Sequence, residues 1–336
     1  MFILTFAVIG LSVFFYLSGM KTTLLFLSVL LSANIIGQNV YIPNAVFKLY
    51  LVGNSEINTN GDTEIQVSEA TAFDGQISCH SSSISDLTGI EAFTALTTLY
   101  CSNNQLTILD LSQNTALTSV QCVYNQLTSL DVSQNTALTS LSCGYNQLTS
   151  LDVSQNTALD ILRCGLNQLT ILDVSQNTAL TQLVCDENFL TSLDVSQNAA
   201  LEALWCQGNQ LTILDVSDNT AIVRLECQDN QLTFLNVANG SNINMNYSYL
   251  FNATSNPNLT CIEVDDAEWS TVNWPNIDPQ TSFSGDCTSS ITELSTSRNI
   301  IQILDLMGRE TSFKPSTPLI YVYDDGSTEK VFSVEY

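Results

Sequence analysis

The stretch from Leu127 to Gln147, LTSLDVSQNTALTSLSCGYNQ, is followed at once by LTSLDVSQNTALDILRCGLNQ, a nearly identical unit that begins at Leu148. A cysteine recurs every 21 residues through this region, and Cys79 precedes the first of them by 22. Self-similarity at such a period indicates a solenoid, in which each coil packs only against its neighbours. The recurring cysteines are Cys101, Cys122, Cys143, Cys164, Cys185, Cys206 and Cys227.

Within one unit, Leu141 and Cys143 alternate with Ser142 and Gly144, which is the pattern of a short strand with one buried face. Coils stacked in register place neighbouring strands about 4.8 Å apart, so the cysteines are expected to form a ladder inside the array. That spacing exceeds the roughly 3.8 Å between Cβ atoms that a disulfide prefers. The sequence therefore predicts buried free thiols along the ladder.

An asparagine follows each cysteine by three residues, where the chain must turn and its backbone polar groups need partners. The second half of the unit, LDVSQNTAL, is expected to return the chain along the other side and to add Val132, Ala137 and Leu138 to the core. The asparagines are Asn104, Asn125, Asn146, Asn167, Asn188, Asn209 and Asn230.

Leu138, Leu141, Cys143, Asn146 and Leu148 spell L-x-x-L-x-C-x-x-N-x-L, which resembles the leucine-rich repeat with cysteine at one leucine position. The resemblance implies a β-rich leucine-rich-repeat solenoid of about eight 21-residue coils, with a parallel sheet on its concave face. Ile84 to Leu96 resembles the corresponding part of internalin-type repeats. Open solenoid ends expose apolar surface, so caps are expected at both ends, including a short helix after Pro43.

Two positions per coil vary while the frame stays fixed: the residue before each cysteine and the residue two after it. In the leucine-rich-repeat family such side chains point away from the core onto the concave face, the usual binding surface. Their aromatic and arginine residues have the composition of interface hot spots. The candidate ligand-binding residues are Tyr100, Gln121, Tyr124, Tyr145, Arg163, Glu187, Trp205 and Glu226.

Two further rows invite chemistry. One aspartate per coil, from Asp110 to Asp215, is expected to cap a local turn, and the alternative is a cation-binding stripe. One exposed threonine per coil, from Thr128 to Thr233, suggests ice binding as a remote alternative.

The segment NTNGDTEIQVSE, residues 58–69, places oxygen-bearing side chains at the spacing of an EF-hand calcium loop. It departs from that motif at its first residue and at Thr63, where glycine normally makes the sharp turn. The sequence allows a structural calcium ion here, with an acidic surface turn as the alternative. The candidate ligands are Asn58, Asn60, Asp62, Glu64 and Glu69.

Composition excludes several functions. The net charge is −25, and Arg163 and Arg224 are the only basic residues between Cys79 and Cys261, which argues against nucleic acid and anionic membrane as partners. His80 is the only histidine and stands without an orienting acid at recognisable spacing, so the sequence does not predict an enzyme.

The amino terminus reads as an export signal over residues 1–37, with Met20 as the expected true start and no stable membrane span in the mature form. A cap over 38–78, the array over 79–260 and a second cap over 261–288 follow. Export implies an oxidising compartment, and Cys261 and Cys287 lie outside the period. They are therefore the expected disulfide.

The last segment, 289–336, reads as three antiparallel strands. ILDLMGRE and KPSTPLIYVYDDGSTEKVFSV resemble the carboxy-terminal sorting domain of type IX secretion in Bacteroidetes, and the whole arrangement is similar to secreted leucine-rich-repeat proteins of flavobacteria. That resemblance implies the type IX machinery as a partner, a route through periplasm and outer membrane, and a secreted or cell-surface product. The expected role is binding or adhesion to a protein or glycan, and the alternative is a structural spacer or surface-coat component.

Overall fold

The computed structural model describes residues 38–287, 300–304, 309–311, 318–323 and 328–332. Two compact units divide between Gly285 and Asp286. The expected export signal lies outside the described residues.

The first unit is a solenoid whose main sheet has nine parallel strands, given below in their order across the sheet. Each strand is short because only three residues per coil pair in register before the chain turns, as Ser140–Ser142 pairs with Ile161–Arg163. The nine strands are β1 Gln76–Ser78, β2 Thr98–Tyr100, β3 Ser119–Gln121, β4 Ser140–Ser142, β5 Ile161–Arg163, β6 Gln182–Val184, β7 Ala203–Trp205, β9 Arg224–Glu226 and β11 Phe251–Asn252.

A second parallel sheet of four strands lies on the returning side of the last coils, in the order β13-β12-β10-β8. These strands are β8 Ile213–Asp215, β10 Phe234–Asn236, β12 Cys261–Glu263 and β13 Ser282–Ser284. This parallel-sheet solenoid, with about 21 residues per coil, confirms the predicted leucine-rich-repeat fold.

The cysteine ladder lies in the core, as predicted. All eight cysteines from Cys79 to Cys227 are buried free thiols. Burial raises the pKa of each of these thiols, to about 12 for Cys79 and Cys122. Cys261 and Cys287, the expected pair, are both disulfide-bonded.

The asparagine after each cysteine satisfies the turn backbone, as expected. Asn167 Nδ2 donates to the carbonyls of Cys143 and Cys164, at 3.1 and 3.0 Å, and its Oδ1 accepts the Leu148 N–H at 3.0 Å. Because two of these partners belong to the preceding coil, the side chain ties neighbouring coils together.

A second asparagine ladder, not foreseen from the sequence, lies on the returning side. Asn135 is fully buried and its Nδ2 donates to the carbonyls of Leu111 and Asn114, at 3.0 and 2.9 Å. Val132 and Leu138 are core residues as expected, but the prediction for Ala137 was wrong, since its side chain is exposed. The turn directs Asn135 inward instead, where its amide is a second donor to the Leu111 and Asn114 carbonyls, which also accept backbone N–H groups.

Caps close both ends of this solenoid. The predicted helix after Pro43 is α1, Ala45–Val52, whose first N–H groups bond to Asn44 Oδ1. A second helix, α2, spans Val67–Ala72, and 3₁₀ turns occupy Ile90–Ala92 and Asn242–Asn244. At the other end α3, Ala267–Asn273, leads to a buried Trp274 that stacks on Phe251 with 4.2 Å between ring centroids.

The second unit contains a three-stranded antiparallel sheet in the order β14-β15-β16. Its strands are β14 Ile300–Leu304, β15 Pro318–Tyr323 and β16 Thr328–Phe332. They agree with the three antiparallel strands expected in this segment.

Candidate binding surface

The outward face of the nine-stranded sheet carries a row of variable side chains, here called the strand column, made of the third residue of each strand. The middle residue of each strand is buried, so alternation directs the flanking residues outward. The candidates in this column are Tyr100, Gln121, Arg163, Trp205 and Glu226, and all are half-buried.

Side chains at the first and third positions of neighbouring strands, which both face outward, cover one another. The Arg224 guanidinium lies 4.8 Å from the Trp205 ring centroid and 2.9 Å from Glu226. Arg163 Nη2 donates to Gln182. Tyr100 and Trp205, which the sequence places on the outward face as exposed side chains, are half-buried, and Arg224 covers part of Trp205.

The other three candidates, Tyr124, Tyr145 and Glu187, do not lie on strands. Each lies two residues after a cysteine, beyond the strand end, with φ of 56°, 53° and 49°. A left-handed conformation is costly for such residues, and here it turns the chain so that the next asparagine enters the core. This row, here called the turn column, comprises Asn103, Tyr124, Tyr145, Leu166, Glu187, Gly208 and Asp229, all with positive φ.

The turn column exposes an aromatic pair. Tyr124 and Tyr145 stack with ring centroids 3.9 Å apart, and 47% and 41% of their surfaces remain exposed. The side-chain hydrogen bond between the two hydroxyls raises the pKa of Tyr124, because the neutral Tyr124 hydroxyl can donate it and the phenolate cannot. These rings have no burial to gain within the chain, so their exposure favours an external partner.

The pair stands at one end of an open groove of about 670 Å³ along the turn column. Leu166, Glu187 and Phe189 also line this groove, together with several ladder asparagines. Phe189 is 49% exposed and was not identified from the sequence. It replaces a glutamine present at that position in neighbouring coils, and this replacement was the available signal.

Two carboxylates are set against glycines of adjacent coils. A Cβ at Gly165 would lie 1.9 Å from Asp186 Oδ1, and one at Gly208 would lie 2.6 Å from Glu187 Oε1. Desolvation by burial raises the pKa of Asp186. The glycines thus leave the space in which both carboxylates lie.

The aspartate row caps turns, as predicted. Asp131 Oδ1 accepts the Ser133 N–H at 2.9 Å, and Asp110, Asp152, Asp173, Asp194 and Asp215 make the equivalent bond. This backbone hydrogen bond lowers the pKa of Asp131. The bond accounts for the aspartate at this position without a cation.

The calcium-like loop closes through its own hydrogen bonds. Glu69 Oε1 accepts the N–H groups of Thr59 and Asn60, at 2.8 and 3.2 Å, and Oε2 accepts the Gln66 N–H at 3.0 Å. Asn58 Nδ2 donates to Asp62 O at 2.8 Å, and Glu64 pairs with Lys48 at 2.6 Å. Asn60 Nδ2 donates to Asp62 Oδ2. This arrangement does not fit a calcium shell, and within the described ranges no acidic, cysteine or histidine cluster could hold a metal ion.

We expect Glu69→Gln to lower the free energy of unfolding of the amino-terminal cap by about 2 kcal/mol, because the amide retains one acceptor oxygen where two are used. Hydrogen exchange of the α2 amides measures this loss. Glu56→Gln is the control, since Glu56 is exposed. If the loop held calcium, EGTA would lower the hydrogen-exchange protection of the α2 amides in the unsubstituted chain. The decrease would be as large as the one caused by Glu69→Gln.

The repeat geometry, the two asparagine ladders and the outward columns define a leucine-rich-repeat protein of internalin-like fold.

His80, the only histidine of the sequence, is exposed, and its Nδ1 lies 3.1 Å from Ser78 Oγ. In the part of the chain that the structure describes, no helix has the length and hydropathy of a membrane span.

Comparison with known proteins agrees with this class. A family model described as the LVIVD repeat matches residues 206–225. Internalin J of Listeria monocytogenes is 50% identical over 56 residues, which cover 17% of this chain and 6% of that protein. The functional domain of InlJ from the same species includes a cysteine ladder; it is 38% identical, with a TM-score of 0.59, covering 68% of this chain and 52% of that one.

Internalin C2 of Listeria monocytogenes shows the same fold at 17% identity, with a TM-score of 0.54, over 68% of this chain and 98% of that one. The chain spans about half the length of the InlJ structure and a small fraction of the whole internalin J.

Proposed function

We propose that this is an exported, non-enzymatic binding or adhesion protein that holds a protein or glycan partner at the cell surface. The binding surface comprises the strand column and the groove along the turn column. Solenoids of this class commonly bind other molecules on such surfaces. The exposed stack of Tyr124 and Tyr145 carries the proposal, because it places large apolar rings in solvent on a rigid frame.

The proposed location at the cell surface depends on export of the chain. The similarity of residues 289–336 to type IX sorting domains supports passage through the outer membrane, and the three-stranded sheet is compatible with it. Fractionation of cells that express the chain with and without this segment tests the route. Calcium has no part in the proposed function.

The binding proposal is tested with the full chain on a glycan array and against extracellular proteins. The double substitution Tyr124→Asn and Tyr145→Asn suits the left-handed turn, because Asn103 already occupies the same column. We expect it to weaken the retained ligand at least tenfold, which is about 1.4 kcal/mol.

Ile171→Ser is the matched control. Ile171 is 75% exposed on the returning side, and serine is the residue at that position in neighbouring coils. If no ligand is retained, or if both variants bind equally, the structural-spacer alternative is supported instead. Ice binding by the exposed threonine row stays a prediction that a thermal hysteresis assay tests.

A further inference from the structure

The groove on the turn column is apolar at one end and anionic at the other. Tyr124 and Tyr145 stand at the first end, and Leu166 and Phe189 continue the apolar lining. Glu187 is the only lining residue with a formal charge, with Asp186 beside it and Asp229 next in the column after Gly208. A ligand that lies along the groove therefore meets aromatic rings first and carboxylates next.

These carboxylates lack a cation from the array itself. Within the array, residues 79–260, the only ion pair is Arg224–Glu226. Arg163 and Arg224, the only basic residues of the array, bond to Gln182 and Glu226. Asp186 is half-buried over Gly165, and Glu187 lies against Gly208 and is exposed to solvent.

We infer that the groove binds an extended, cationic protein segment, with lysine or arginine side chains that pack across the tyrosine pair and reach Asp186 and Glu187. This inference rests on the proposed function and names the partner's chemistry. Such side chains combine an apolar stem, which covers aromatic surface, with a charge that rings and carboxylates both attract.

Charge also decides against other occupants. The net charge of −25 opposes any anionic ligand, whether a sulfated glycan, a nucleic acid or an anionic lipid. A neutral glycan would stack on the tyrosines but would leave the carboxylates of Asp186 and Glu187 without a counter-charge. Electrostatic complementarity therefore favours a basic segment.

The experiment selects peptides from a random 12-residue library displayed on phage, with the full chain as bait and the Tyr124→Asn, Tyr145→Asn variant for counter-selection. We expect the retained peptides to be enriched in lysine and arginine. The best of them, made synthetically, is expected to bind roughly five- to tenfold more weakly when salt is raised from 50 to 300 mM.

Glu187→Gln is expected to weaken that peptide about fivefold. The control is Asp218→Gln, which removes one charge from an exposed position on the returning side where the preceding coil has Gln197. The affinity of the Asp218→Gln variant for the same peptide should change less than twofold.

Three results overturn the inference, and a fourth also rejects the proposed function on which it rests. Retained peptides without basic residues, or binding that is insensitive to salt and to Glu187→Gln, would show that the groove does not select cations. Failure to retain any peptide, with a neutral glycan still bound and lost in the tyrosine variant, would reject the protein segment but leave the proposed function standing. If the unsubstituted chain binds neither a peptide nor a glycan, the proposed function itself is rejected.

Discussion

Raising the pH from 8 to about 10.5 is expected to unfold the repeat array. The eight ladder thiols are buried and their pKa values are raised, whereas a thiol in an unfolded chain titrates near 8.5. A thiol whose pKa is higher in the folded chain than in the unfolded chain stabilises the fold fully at pH values below the unfolded-state pKa. This contribution to the free energy of unfolding is lost as the pH rises towards the folded-state pKa. The window begins near pH 8.5 and extends to about 12, the value for Cys79 and Cys122.

The size of this effect follows from the number of thiols. Each loses about 1.4 kcal/mol per pH unit well above its unfolded pKa, so eight together lose about 11 kcal/mol per unit. That is comparable with the whole stability of a typical domain. Circular dichroism under a reducing agent should therefore show cooperative unfolding between about pH 9 and 10.5.

Cys143→Val with Cys164→Val provides the control, because it removes two of the eight titrating groups and keeps the positions apolar. Its stability should fall about one quarter less steeply with pH. An array that stays folded at pH 11, or thiols that react with a disulfide reagent in the native state at pH 8, would contradict the buried ladder.

The asparagine ladders give the second large effect. Asn167→Ala is expected to lower the free energy of unfolding by about 2–4 kcal/mol, because it leaves the buried N–H of Leu148 without a partner and removes one of the two asparagine donors to each of the carbonyls of Cys143 and Cys164. Urea denaturation measures the change, and near-ultraviolet circular dichroism checks that the variant folds.

Asn177→Ala is the matched comparison on the returning side. Asn177 Nδ2 donates to the carbonyls of Val153 and Asn156, both at 2.9 Å, but its buried Oδ1 has no hydrogen-bond partner among the described residues. The substitution therefore removes an unpaired oxygen along with two bonds, and we expect a loss about 1–2 kcal/mol smaller than for Asn167→Ala. Equal losses, or a larger loss at Asn177, would contradict this account of the two ladders.

Much of the fold could be predicted because it follows from what every coil repeats. The 21-residue period placed the cysteines in the core, and the asparagine after each cysteine had to satisfy a buried turn. The exposure of Ala137 could not be predicted, because its apolar side chain suggested burial while the turn instead buries Asn135, which bonds to two backbone carbonyls of the preceding coil.

The candidate surface was less predictable because it depends on conformation and not on spacing. Tyr124 and Tyr145 were identified by their variation, but their left-handed turn and their stacking depend on where each strand ends. Likewise, the position of Arg224 over Trp205 depends on side-chain packing between coils. Phe189 could not be predicted from variation between coils, because its position is glutamine in nearly every other coil.

Hydroxyl-radical footprinting of the full chain with its ligand bound tests the central claim, that one side of the array is the binding surface. The account predicts that oxidation of Tyr124, Tyr145 and Phe189 falls severalfold on binding. Oxidation of Ile108, Ile171 and Ile213, which are also exposed but lie on the returning side, should stay unchanged. Protection of the isoleucines with unprotected tyrosines would contradict it.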